Sequence, residues 1–239
     1  MIKNSLIIVL VVSGLFSAKA QTLNDFFTQT DAFLKSYVVK GKVDYKAVKE
    51  NVVSLNTILT IADHITVDKT DAKNYQAFWI NAYNLSVIKG IVDNYPIASP
   101  LDKAGFFDKT TYSLAGQKVT LNTIENELLR AKFKDARFHF VLVCGANGCP
   151  PLIANAYLPK TLDAQLEQQT KLALNGDYFV KVNDKKKTVE ASEIMKWYNE
   201  DFVQNGMTEI EFINKYRTNT IPKNYKLKYF SYNWKLNKQ

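Results

Sequence analysis

The run from Asp71 to Asn94 constrains this chain more than any other stretch. Its centre, Phe78-Trp79-Ile80-Asn81-Ala82-Tyr83-Asn84-Leu85, is apolar on nearly every side of a helix. A helix of that kind has to be wrapped by the rest of the chain. Asp71 reads as its start and Tyr95-Pro96 as its stop. Within it, Asn81 and Asn84 stand three apart on one face. Buried amides need hydrogen-bond partners, and an unpaired one costs about 1–3 kcal/mol. Two roles are open to them: tying the backbone of a neighbouring loop, or lining a pocket and holding a substrate or an oxyanion.

The flanking segments supply the wrapping. Residues 22–38 read as an amphipathic helix, with Leu23, Phe26, Phe27, Phe33, Leu34 and Val38 on one side and Gly41 ending it. Tyr45 to about Ala62 repeats the helical spacing through Val48, Val52, Leu55, Leu59 and Ile61. Thr110 to Leu114 and Lys118 to Leu121 predict a hairpin about Ala115-Gly116. Asn122 and Glu125 have the spacing of a capping box, opening a helix that reaches Arg130. Phe138 to Val143 is continuously apolar and predicts a buried strand. Leu162 to Leu174 predicts a helix, and residues 178–183 with 187–191 a second hairpin. Ser192 and Thr208 open the last helices, and Lys226 to Trp234 alternates as a closing strand. Helices and hairpins without a β-α-β rhythm predict an α+β fold. The expectation is a single domain over residues 21–239, with helices packed around short antiparallel strands and hairpins.

The first twenty residues stand apart. Lys3, the apolar run Leu6 to Phe16 and the ending Ala18-Lys19-Ala20 have the form of a secretory signal peptide. The run is shorter than the roughly 20 residues a span needs. Cleavage after Ala20 is therefore expected, giving a periplasmic or secreted protein with no membrane span. Removing Lys3 and Lys19 leaves 29 basic residues against 23 acidic ones, so the net charge drops from +8 to +6. That charge is dispersed. The one dense run, Lys185-Lys186-Lys187, falls at a hairpin tip, and binding a polyanion needs a surface stripe. Nucleic acid is not an expected partner.

Chemistry is concentrated between Phe138 and Leu152. This stretch holds both cysteines, Cys144 and Cys149, and His139, one of the chain's two histidines. The other, His64, reads as a solvated helix end. Three readings of the cysteines are open. In an oxidising compartment they can close a small disulfide around Gly145 to Gly148. Alternatively Cys144 is a nucleophile with His139 as its base. Geometry objects to that pairing on a continuous strand, where five residues separate the two by about 16 Å and put them on opposite faces. A zinc site of Cys144, Cys149 and His139 lacks a fourth ligand, so neither metal nor cofactor is expected. Arg137 would lie beside His139 on the same strand face and joins the candidate binding residues. Glu125, where it is not simply a helix cap, would supply a carboxylate to orient His139.

The motifs Phe78 to Asn84, Val119 to Glu125 with Leu129-Arg130, Arg137 to Gly145, and Cys149-Pro150-Pro151-Leu152 occur in an order that resembles the bacterial members of domain-of-unknown-function family 547. The resemblance covers roughly residues 70–180. It singles out Asn81, Tyr83, Asn84, Glu125, Arg130, His139 and Cys144. Many members carry histidine directly after the glutamate, where this chain has Asn126. Plant-type members keep the first cysteine and have a serine near the second, which implies a role for Cys144 beyond a disulfide. Two functions follow as expectations. One is a non-catalytic binding or envelope-associated domain, taking a small molecule or peptide, with a disulfide-braced loop. The alternative is a thiol-dependent hydrolase or acyl transferase, with Cys144, His139 and Glu125 catalytic and Asn81 as polar stabiliser.

Overall fold

A computed structural model describes residues 22–239. The proposed signal segment lies outside the described residues. The chain runs through α1 (Leu23–Tyr37), β1 (Val38–Val39), β2 (Lys42–Val43), α2 (Tyr45–Glu50), α3 (Val52–His64) and α4 (Ala72–Asn94). The strands β3 (Thr111–Leu114) and β4 (Gln117–Thr120) form an antiparallel hairpin that leads into α5 (Leu121–Thr123). A π-helical segment, Ile124–Arg130, follows without a break and ends in α6 (Ala131–Phe133). Then come α7 (Leu162–Asn175), β5 (Val180–Asn183), β6 (Thr188–Ser192), α8 (Glu193–Trp197), α9 (Asn199–Phe202), α10 (Glu209–Asn214) and β7 (Lys226–Phe230). The arrangement is α+β, as its mixture of helical and alternating patterns predicts.

Helix α4 is the axis. Asp71 caps it by accepting from the Asn74 amide at 3.2 Å, and every residue from Tyr75 to Ile88 is buried. Helices α1, α2 and α3 pack around it, with Phe26, Phe33, Leu55 and Ile61 turned inward. Each large apolar side chain so buried contributes about 1.5–3 kcal/mol. The asparagines of α4 resolve their two open roles. Asn81 donates to the Tyr157 carbonyl at 2.7 Å and accepts from the Tyr157 amide at 3.0 Å. Asn84 does the same for Val141 O and Val143 N, both at 2.9 Å. Both amides are therefore taken up in clamping loops onto the helix, because those backbone groups have no ladder of their own.

Four local expectations need correction. Helix α1 stops at Tyr37, and Gly41, at φ +80°, turns the small β1–β2 hairpin instead of ending the helix. The second helix is broken at Asn51 into α2 and α3. The cap of α5 is Thr120, whose hydroxyl accepts from the Thr123 amide at 3.1 Å, so Glu125 is not a capping residue. Finally, no strand covers 138–143. Asp135 caps a 3₁₀ turn, Ala136–Phe140, and the Val141 and Leu142 amides both bond back to the Phe138 carbonyl. A short apolar run does not by itself distinguish a buried strand from a buried turn. Here Phe138 enters the core around α4, while Phe140 enters a second core.

That second core is built from α7, β5, β6, β7 and the helices α8 to α10, around Phe179, Val189, Met195, Phe202 and Phe212. Phe140 lies parallel to Phe212 with centroids 6.5 Å apart. The β5–β6 hairpin forms with the lysines at its tip, and β7 then adds beside β6. The pairing of β7 is parallel, against the all-antiparallel expectation, because the chain returns through α8, α9 and α10 before re-entering the sheet. Among the described residues no helix is long and apolar enough to cross a membrane.

Candidate functional site

Where the two cores meet, a cavity of about 230 Å³ opens. Its floor and one wall come from Tyr83 on α4 and Glu125 on the π-helical segment. The opposite wall comes from the loop carrying Cys144 and Cys149, which are joined as a disulfide with Cα atoms 6.3 Å apart. The mouth is aromatic: Trp197 and Tyr198 at the end of α8, with Tyr232 and Trp234 just past β7.

The cysteine loop is shaped by its two glycines. Gly145 has φ +81°, and a Cβ there would meet Ile91 Cδ1 of α4 at 2.5 Å. A Cβ on Gly148 would stand 2.7 Å from the Tyr232 ring. Only glycine allows both approaches. The end of the chain is laid over this loop. Asn147 N–H donates to Lys235 O at 2.7 Å, Gly148 N–H to Asn233 O at 2.8 Å, and Asn237 N–H to Gly145 O at 2.9 Å. Those bonds place the Tyr232 hydroxyl 2.9 Å from each sulfur. Disulfide sulfur carries no hydrogen, so the phenol is the donor. Burial, followed by the charges of Tyr198 and Glu125, pushes the Tyr232 pKa up and keeps that proton in place.

The turn that replaces the expected strand changes the relation between His139 and Cys144. Instead of facing opposite ways, both line the same cavity. His139 is only 5 % exposed, and its ring stacks on Tyr198 at 4.2 Å. Its carboxylate partner is Asp201 of α9, with Oδ2 2.6 Å from Nε2; the expected partner, Glu125, does not bond it. The same Asp201 oxygen accepts from Arg130 Nε at 2.7 Å. Burial alone would raise the Asp201 pKa, but the hydrogen bonds from His139 and Arg130 bring it down to about 2. The ionised carboxylate therefore accepts a hydrogen bond from Nε2–H.

Arg130 is a positioning group. It bonds Asp201, Asn126 and Glu200, and its guanidinium sits over the Tyr198 ring at 4.6 Å. The π-helical turn explains its direction. Residues five apart on an α-helix diverge by about 140°, whereas the i→i+5 bond from Ala131 N to Asn126 O widens the turn and brings Glu125 and Arg130 towards the same side. Short π-helical segments recur at functional sites. Asn126 bonds Arg130 and Asn122 and does not line the cavity. Glu125 faces the cavity, and the Tyr83 hydroxyl donates to it at 3.3 Å. Burial, then the Glu125 charge, raises the Tyr83 pKa, so this phenol too remains a donor.

Arg130 and three further expected binding residues do not line the cavity. Arg137 forms a two-oxygen pair with Asp135, at 2.7 and 3.0 Å for the shorter contacts, and lies outside the cavity because the 3₁₀ turn points it away from His139. Asn81 and Asn84 lie beneath the site as clamps and do not line it. His64, at the end of α3, is exposed as expected. The residues that sequence reasoning missed are Asp201 and the aromatic mouth. The spacing of Tyr232 and Trp234, two apart on one face of an alternating tail, was the available signal for the latter. Nothing local marks Asp201. Among the described residues no group of three His, Cys, Asp or Glu is placed to hold a metal ion.

The fold and the site together define an α+β protein with a small aromatic pocket walled by a disulfide loop. Residues 67–172 match the model of a family described as Protein of unknown function, DUF547, which supports the family that the motifs resemble. The matched segment ends before α8, so Trp197, Tyr198, Asp201, Tyr232 and Trp234 complete the site from outside it. No curated protein and no solved structure matches the chain.

Proposed function

We propose that the protein is an exported, non-catalytic binding domain whose disulfide-braced loop forms one wall of a pocket for a small molecule. The observation that carries this reading is the bond between Cys144 and Cys149 in the pocket wall: both cysteines of the chain are in it. In that state there is no thiolate to attack a substrate. Export is supported by the signal-like first twenty residues and by the disulfide itself, which persists in oxidising compartments. The test is thiol titration of the mature protein, native and then denatured, with mapping of the alkylated residue. Neither cysteine should react until reductant is added. Rapid native alkylation of Cys144 near neutral pH would sink the reading.

One observation favours a second reading in a reduced form of the protein. His139, bonded by Asp201, lines the same cavity as Cys144, and a carboxylate-oriented imidazole is what a thiol nucleophile requires. A thiol reductant would open the disulfide to two thiols, freeing Cys144. Hydrolysis of an activated acyl ester would then arise only after reduction and disappear in Cys144→Ser.

A further inference from the structure

We infer that the pocket recognises a small organic cation, an ammonium group on a compact body, with Glu125 as its counter-charge and the aromatic mouth as its cage. The inference rests on the binding reading and names its ligand class.

Charge comes first. The chain has 31 Lys and Arg residues against 23 Asp and Glu, yet among the described residues no Lys or Arg lines the cavity, and Glu125 is the one carboxylate that does. The Arg130 guanidinium feels the Glu125 charge, but its hydrogen bonds go elsewhere. Arg130 gives Nε to Asp201, Nη1 to Asn126 and Nη2 to Glu200. His139, the other ionisable nitrogen base of the wall, faces the ionised Asp201 through Nε2. Among the described residues Glu125 forms no salt bridge, and its hydrogen-bond partners are neutral phenols, Tyr83 at 3.3 Å and Tyr198. A carboxylate offers about four acceptor positions, and two phenol hydroxyls leave some of them open. A cationic ligand would supply what the protein does not.

The walls fit the same class. Tyr198 is taken up by Arg130 at 4.6 Å, by His139 at 4.2 Å and by its bond to Glu125. Trp197, Tyr232 and Trp234 cluster instead, with centroids 4.7–6.0 Å apart. Trp197 is 45 % exposed although it is one of the largest apolar side chains in the molecule. Indole faces attract ammonium groups through the ring quadrupole, and more strongly once both are desolvated. The volume of about 230 Å³ is below that of drug-sized sites, which limits the ligand to a compact one.

The experiment is titration of the disulfide-intact protein with choline and with its uncharged isostere 3,3-dimethylbutan-1-ol, followed by indole fluorescence and calorimetry. Choline should bind at least about tenfold more tightly than the isostere. In Glu125→Gln, checked for an unchanged melting temperature, that preference should vanish while isostere binding stays the same. Equal affinities for the two probes, or a preference that survives Glu125→Gln, would overturn the cation assignment. A silent titration with both probes would overturn it as well. A charge-balanced fragment set, read by the indole resonances of Trp197 and Trp234, then separates the two ideas. A neutral or anionic binder leaves the pocket reading standing without its cation, and no binder at all removes both.

Discussion

Asp201 holds the polar side of the site together with a single oxygen, which takes both His139 Nε2 and Arg130 Nε. Its folded pKa, about 2, lies below the ordinary value of 3.8. A depressed carboxylate contributes stability that is complete above its unfolded pKa and is lost as pH falls through its folded one. The contribution of Asp201 should therefore be present at neutral pH and fade between about pH 4 and pH 2. Asp201→Asn is expected to cost about 1–2 kcal/mol at pH 7, allowing for solvent screening of a half-buried group. Urea unfolding of both proteins at pH 7 and near pH 2 measures this. A penalty of the same size at both pH values would mean that charge is not what Asp201 contributes.

Among the elements, α4 does more than fill the core. Its two buried asparagines, Asn81 and Asn84, act as surrogate strands for loops that have no ladder. Truncating either leaves a buried carbonyl and a buried amide unpaired, at about 1–3 kcal/mol for each group. The consequences should differ in place. Asn84 clamps Val141 and Val143, directly before Cys144, while Asn81 clamps Tyr157. Both Asn81→Ala and Asn84→Ala should lower the unfolding free energy. Only Asn84→Ala should also speed reduction of the Cys144–Cys149 bond by dithiothreitol under native conditions. Equal reduction rates in the two variants would show that the clamp does not hold the cysteine loop.

The whole molecule is two cores joined by three features: the turn that sends Phe138 one way and Phe140 the other, the Asp201 contacts, and the last residues of the chain. Beyond β7 the tail bonds Glu193, Gly145, Asn147, Gly148, Ala98 and Val43 in turn. Ending the chain after Ser231 would remove those bonds with Tyr232 and Trp234. At roughly 0.5–1.5 kcal/mol per hydrogen bond, the loss should be at least about 3 kcal/mol, seen by calorimetry as a lower melting temperature. The disulfide, stripped of its Tyr232 cover, should also be reduced faster. A truncated chain with unchanged melting and reduction would show that the tail is not part of the site.

Much of the framework is legible in the sequence because its causes act over a few residues. The caps at Asp71, Ser192 and Thr208 hydrogen-bond two or three positions ahead. The all-apolar centre of α4 leaves no helix face for water, and the hairpins at Gly116 and Lys186 follow from alternation between turn residues. The glycines and cysteines between Phe138 and Leu152 likewise mark the loop where the site lies. Tertiary structure alone decided the rest. His139 meets Asp201 across 62 positions, and Cys144 meets Tyr232 across 88. Phe138 to Val143 forms a turn because two cores compete for its side chains, a circumstance absent from its own pattern of apolar residues. Periodicity records which residues avoid water. Which of them meet depends on how the elements pack, and the pocket exists only in that packing.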